Sequence, residues 1–113
     1  MEILREPLTL QALKEMAAAC FGDMVKAVVD VDRERMAVNA ELHSDLEAML
    51  LEDGSKQGGL WGINLYPELR GGEFIEFDSM INVRPSQNNR SRDVLNPLVR
   101  KKVAAVVEKM VRR

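Results

Sequence analysis

The chain has 113 residues, of which 46% are hydrophobic and 30% are charged, which excludes a disordered protein and favours a single domain over residues 1–113 with its own hydrophobic core. One cysteine excludes an intramolecular disulfide, and the longest apolar run, Met16–Phe21, is far shorter than the roughly 20 residues that a bilayer span needs. We therefore expect a cytoplasmic protein that does not contact a membrane.

The net charge of −2 hides an uneven distribution. Residues 84–113 hold nine Lys/Arg and two acidic residues, a balance of +7, whereas residues 1–83 hold seven Lys/Arg and sixteen acidic residues, a balance of −9. A basic surface for an anionic partner is one explanation. Mutual pairing of the two parts is the one we favour, because nucleic-acid binders are usually basic overall.

The first half of the chain predicts a strand, a helix and a hairpin. A short strand at 2–4 precedes a helix over Thr9–Phe21, where apolar residues recur at helical spacing, and Gly22 ends that helix. Cys20 lies on its apolar stripe, so we expect it to be buried. Residues 24–32 then alternate as a half-buried strand, and a turn at 32–35 leads to a second strand through 36–42.

The second half predicts two helices and two strands. Ser44 and Glu47 have the spacing of a capping box, which indicates a helix that ends at Asp53-Gly54. Strands are predicted over 60–66 and 73–84. Asn96-Pro97 suits the start of a last helix, whose buried stripe is Val99, Val103, Val106, Val107 and Met110.

The order β-α-β-β-α-β-β-α predicts an α+β fold. Hairpin connections and one polar face per strand favour a mainly antiparallel sheet of about five strands packed against three helices. We expect all three helices on one side of this sheet, and a polar opposite side.

Alternation predicts which side chains share that polar side. An unbroken strand over 73–84 would place Glu76, Asp78, Asn82 and Arg84 there, and the neighbouring strands would add Asn39, Glu41, His43 and Asn64. A solvated sheet face and a substrate- or anion-binding face both fit this pattern.

His43 is the only histidine, so acid–base catalysis by imidazole would use it, with Glu41 or Asp78 as its carboxylate. One histidine and a distant cysteine do not make the three or four ligands of a zinc site, so no metal site is predicted. The glycine pairs lack the strand–helix context of a phosphate loop, and no cofactor is predicted.

The most distinctive feature is a polar segment, Asn82–Arg92, with three arginines, three asparagines, a glutamine and two serines. Guanidinium forks and amide donors suit carboxylate and phosphate oxygens. The candidate binding residues are Asn82, Arg84, Asn88, Asn89, Arg90, Ser91 and Arg92. The segment can equally be an ordered connection, whose amides bond the backbone and whose arginines pair with carboxylates.

Five motifs together resemble one known family. They are Glu-Leu-His-Ser-Asp at 41–45, Leu-Leu-Glu-Asp-Gly at 50–54, Leu-Trp-Gly-Ile-Asn-Leu-Tyr-Pro at 60–67, Glu-Phe-Asp-Ser-Met-Ile-Asn-Val-Arg-Pro at 76–85 and Asn-Arg-Ser at 89–91. The chain resembles, over essentially its whole length, domain-of-unknown-function family 5674, a small prokaryotic family. The resemblance implies a standalone cytosolic domain and assigns no activity and no catalytic residue.

Three functional hypotheses remain open at this point. The first is a small cytosolic binding or regulatory domain whose Arg/Asn loop contacts an anion, with a small ligand or a protein favoured over nucleic acid as the partner. The second is a small acid–base enzyme that uses His43 with a carboxylate. The third is a protein-interaction subunit, including a homodimer, which predicts an exposed apolar patch.

Overall fold

A computed structural model describes all residues, 1–113. It contains three α-helices: α1 (Leu10–Ala19), α2 (His43–Glu52) and α3 (Pro97–Met110). The strands are β1 (Glu2–Ile3), β2 (Leu8–Thr9), β3 (Val25–Asp30), β4 (Arg35–Val38), β5 (Leu60–Leu65), β6 (Ile75–Glu76) and β7 (Val111–Arg112). None of the helices combines the length and the apolar character that crossing a membrane requires.

Five of the strands form one antiparallel sheet in the order β1-β4-β3-β5-β6. The central pair, β3 and β5, runs in register from Val25 opposite Leu65 to Asp30 opposite Leu60. β2 and β7 form a separate parallel pair that ties the start of α1 to the end of α3. The predicted α+β fold, with a mainly antiparallel five-stranded sheet and three helices, is confirmed.

Both faces of the sheet are covered, so the expectation of helices on one side only is wrong. On the first face, Leu13 of α1 and Val103 of α3 pack in one core with Ala27. On the second face, Leu50 of α2 packs with Val28. Strand β3 is therefore apolar at both parities in its centre, which is typical of a strand buried on both sides.

The ends of α1 follow local rules. The Thr9 hydroxyl accepts the Ala12 N–H at 3.1 Å, and Gly22, at φ 96°, donates its N–H to the Ala17 carbonyl. Cys20 comes directly after the last helical residue and is exposed, so the prediction that it is buried is wrong. Because the helix ends at Ala19, the helical spacing does not extend to Cys20, and its side chain does not join the core.

The strand predicted over 36–42 is present only in its first part, and the predicted cap of α2 is wrong. Strand β4 ends early, since the next residue, Asn39, has φ 73°, a left-handed conformation that interrupts pairing. Residues 39–42 are a connection, and α2 begins at His43, with Leu42 rather than Ser44 at the N-cap and no side-chain cap. Asn39, Glu41 and His43 consequently do not share a strand face.

The long strand predicted over 73–84 is broken. Only its first part, in β6, pairs with β5. Residues Met80–Asn82 form a 3-10 turn that begins at Ser79, whose hydroxyl accepts a backbone N–H. Phe77 packs on the first face and Ile81 on the second, so the chain changes sides across this turn. Ser79 and Met80 interrupt the alternation where the turn begins, but Ile81 and Val83 resume the parity of Ile75 and Phe77, which made the stretch resemble one strand.

Candidate functional site

Asn82, the first residue of the polar segment, covers an open edge of the sheet. Its side chain is fully buried, at 0% exposure, and donates to the carbonyls of Gly62 (2.9 Å) and Arg92 (3.0 Å). The Gly62 N–H donates back to Asn82 Oδ1 at 2.8 Å. Gly62 lies in the part of β5 that β6 leaves unpaired. The side chain therefore satisfies backbone groups that a neighbouring strand would otherwise pair.

Arg84 is buried against the same edge. It donates from Nε to the Ile81 carbonyl (3.1 Å), from Nη1 to the Gln57 carbonyl (2.6 Å) and from Nη2 to the Leu60 carbonyl. Its guanidinium lies 4.1 Å from the ring centre of Trp61, at stacking distance. Burial lowers the pKa of Arg84. Carbonyl oxygens and an aromatic ring, rather than a carboxylate, hold this arginine.

Asn89 fixes the rest of the segment. Its Nδ2 donates to the carbonyls of Asn82 (2.7 Å), Ser91 (3.0 Å) and Asp93 (2.8 Å), and its Oδ1 accepts the Leu95 N–H at 2.9 Å. The residue is buried. Its polar atoms, like those of the two side chains already described, are engaged within the chain.

The other four candidate binding residues lie at or near the surface. Asn88 is exposed at φ 59°, and Ser91 accepts a backbone N–H with its hydroxyl. Arg92 pairs with Asp78, with Nε 2.6 Å from Oδ1. Arg90 is exposed and forms no ion pair. The structure thus divides the seven candidates into a buried group and a group that solvent can reach.

Part of the predicted polar side does assemble, around Glu76. Asn64 Nδ2 and the Tyr66 hydroxyl both donate to Glu76 Oε1, at 2.8 Å and 2.9 Å. Burial, and then the contact with Glu76, raises the pKa of Tyr66 to about 12. Asn64 Oδ1 is buried and has no hydrogen-bond partner.

His43 lies beside this group, at the start of α2, and is buried. Its Nε2 is 2.8 Å from the Ile63 carbonyl, so Nε2 carries the proton and donates it. Burial lowers the pKa of His43, and the Lys26 ammonium lowers it further. Neither Glu41, which is exposed on the connection before α2, nor Asp78 hydrogen-bonds the ring. The structure places no carboxylate in position to accept a proton from this imidazole.

A second polar cluster was missed by the sequence reasoning. Asp30 is buried and accepts the Ser55 hydroxyl at 2.6 Å and the backbone N–H of Arg33 at 3.0 Å. Arg33 in turn donates to Asp53 at 2.9 Å, which lowers the pKa of that carboxyl. The cluster ties the β3–β4 turn to the end of α2. Neither here nor elsewhere do three or more His, Cys, Asp or Glu side chains form a group that could hold a metal ion.

A groove lies between the glycine turn before β6 and the first half of α3. This region, the α3 groove, has a volume of about 420 Å³ and is lined by Gly71, Gly72, Ile75, Phe77, Pro97, Arg100, Lys101 and Ala104. Its surface is mainly apolar. The sequence reasoning did not find it, because its two walls are distant in the chain. The available signals were the Gly71-Gly72 pair and the basic residues of α3.

The basic side chains of the α3 groove differ in their surroundings. The Arg100 guanidinium lies 4.1 Å from the ring centre of Phe77, and its Nη1 donates to Asp93 Oδ1 at 2.7 Å. Lys101 is exposed and forms no ion pair. Arg100 is therefore positioned and partly neutralised, whereas the Lys101 ammonium has no anionic partner.

Exposed apolar side chains surround the start of α3. Leu98 is 67% exposed and Leu95 is 51% exposed. A second concave region of about 500 Å³ at the start of α3 includes Leu95, Trp61 and the candidate residues Asn88 and Asn89. Two exposed leucines therefore lie at the start of α3, close in the chain to Arg100 and Lys101.

The family described as "Protein of unknown function (DUF5674)" matches residues 2–110, and the chain belongs to this family. The resemblance identified from the five motifs is confirmed. No curated protein and no solved structure matches the chain significantly.

Proposed function

We propose that this protein is a small binding domain that holds an anionic ligand on the basic surface of α3, beside the α3 groove. The observation that supports this most strongly is the position of Lys101. Lys101 lines a mainly apolar groove and forms no ion pair within the chain. An unpaired cation next to an apolar surface can contact both the charged group and the apolar part of one ligand.

The charge distribution supports an anionic ligand. Only Arg92 with Asp78 and Lys109 with Glu34 join the basic part of the chain to the acidic part. Several exposed cations of the basic part form no ion pair: Arg90, Lys101, Lys102 and Arg112. Mutual pairing therefore leaves much of the +7 balance uncompensated, and this field attracts anions towards α3.

The proposal moves the main anion contact from the polar segment to α3. Asn82, Arg84 and Asn89 stabilise the β5 edge and the loop, and their donors are engaged by backbone carbonyls. Arg90 remains as the unpaired cation of the segment. We assign the ligand contact to Lys101, a contribution to the surrounding positive field to Arg90, and a structural role to the buried residues.

Fluorescence anisotropy with labelled poly-L-glutamate tests this function. We expect binding at low ionic strength that weakens as salt is added, because exposed charges are screened. Lys101→Glu should weaken it by about tenfold, which corresponds to about 1.4 kcal/mol. Lys56→Glu is the matched control, since Lys56 is also exposed and unpaired but lies outside α3. The absence of binding at low salt, or equal weakening by both substitutions, would contradict the proposal.

A further inference from the structure

The α3 groove has the size and the surface of a small-molecule site. Its volume of about 420 Å³ lies within the range of about 300–1,000 Å³ that such sites occupy. Ile75, Phe77, Pro97 and Ala104 supply apolar surface, and Gly72 leaves one wall without a side chain. An apolar ligand body placed here would remove this surface and its own from water.

The charges at the groove select a ligand with one negative charge. Arg100 is held by Asp93 through a 2.7 Å bond, so its charge is already partly compensated. Asp93 also repels additional anionic groups on that side. Lys101 is the one cation of the groove that has no ion pair. The groove therefore offers one uncompensated cation, Lys101, which can pair with one anionic group of a ligand.

From these features we infer that the α3 groove binds a small organic monoanion with an apolar body, an aryl or alkyl carboxylate or sulfonate. The apolar body contacts Phe77, Ile75 and Ala104, and the anionic group pairs with the Lys101 ammonium. The inference rests on the proposed function, because it specifies the class of anion that the α3 surface holds.

Gly72 provides a way to fill the groove without disturbing the fold. A Cβ added at this position has no heavy atom within 4 Å apart from its chain neighbours, and the backbone is not in the left-handed region there. Gly72→Leu should therefore fold normally and place a side chain in the groove. Ala18→Leu is its control, because it adds the same side chain at an exposed position of α1 that does not line the groove.

The test uses the fluorescence of anilinonaphthalene sulfonate, an apolar aryl sulfonate whose emission rises on binding, with octanoate as a competitor. We expect saturable binding to the wild type and displacement by octanoate. Lys101→Glu and Gly72→Leu should each weaken binding by about tenfold, whereas Lys102→Glu and Ala18→Leu should change it by less than about twofold. Phenylnaphthylamine, a neutral analogue, should respond to Gly72→Leu but hardly to Lys101→Glu. Urea unfolding curves of all variants verify that they are folded.

Three results would overturn the inference. They are no saturable binding to the wild type, equal weakening by Lys101→Glu and Lys102→Glu, and unchanged binding to a folded Gly72→Leu variant. Poly-L-glutamate binding separates this failure from that of the proposed function. If the polymer binds and responds to Lys101→Glu while the sulfonate does not enter the groove, the anionic surface stands and the small-molecule site does not.

Discussion

At the scale of single residues, the polar segment shows how one set of donors can serve two purposes. Composition identified Asn82–Arg92 as unusual, and this segment is indeed where the chain closes the edge of β5. Amide and guanidinium groups that suit phosphate oxygens suit carbonyl oxygens as well. Which acceptors they meet depends on where β6 ends on β5, and that register is not encoded within the segment itself.

Asn82 should therefore be a stability residue. Asn82→Ala would leave the N–H and the carbonyl of Gly62 buried without partners, and we expect a loss on the order of 3 kcal/mol in the free energy of unfolding. Asn88→Gly is the control: it is exposed, and glycine retains the positive φ. It should change stability by less than about 0.5 kcal/mol. Urea denaturation measures both. A tolerated Asn82→Ala would show that water satisfies the β5 edge.

His43 predicts a pH dependence of stability. Its pKa in the folded protein lies below 6.5, so the unfolded chain binds more protons once the pH falls below that value. Above pH 6.5, His43 is neutral in both states and the free energy of unfolding is not reduced by its titration. As the pH falls from 6.5 towards the folded pKa, protonation of His43 in the unfolded chain lowers the free energy of unfolding. The slope from this group is at most about 1.4 kcal/mol per pH unit.

His43→Gln separates this effect from other titrations, because an amide N–H can replace Nε2–H at the Ile63 carbonyl without titrating. We expect the wild type to lose stability relative to the variant as the pH is lowered through this window, measured by urea unfolding at each pH. Parallel stability curves for the two proteins would mean that His43 has an ordinary pKa in the folded state.

At the scale of elements, the sequence predicted correctly those helices and strands whose signals lie within their own residues. Helical spacing and cap residues predicted the three helices and the start of α3 at Asn96-Pro97, and the strand predicted over 60–66 is present as β5. Prediction failed where a tertiary contact decides the outcome. Apolar residues recur at odd positions over 75–83 except at Ser79, so the strand was extended through the turn at Met80–Asn82, where the chain crosses the sheet edge. The packing of α2 on the second face of the sheet was likewise not predicted, because it requires β3 to be buried on both faces.

Adjacent leucines in α2 test that second face. Leu50 is fully buried against Val28, whereas Leu51 is 40% exposed. Leu50→Ala should lower the free energy of unfolding by about 2–5 kcal/mol, the usual cost of a cavity in a core. Leu51→Ala should cost less than about 1 kcal/mol. Similar losses in the two variants, measured by chemical denaturation, would contradict the burial of the second face by α2.

At the scale of the whole molecule, the uneven charge remains visible after folding. The acidic part provides only Asp78 and Glu34 as partners for the basic part. The polar segment and α3 therefore have separate roles. The segment completes the sheet with its buried residues, and α3 presents cations beside an apolar groove. The sequence indicated the charge imbalance, but the groove arises only when the glycine turn is folded against α3.

The most direct test of this division is an amide NMR titration with anilinonaphthalene sulfonate. Each residue then reports separately whether the ligand contacts the α3 groove or the polar segment. We predict that the largest shift changes occur at Gly72, Phe77, Lys101 and Ala104, and that the buried amides of Asn82 and Asn89 hardly move. Changes centred on Asn88–Arg92, with α3 unaffected, would contradict this account and return the binding site to the polar segment.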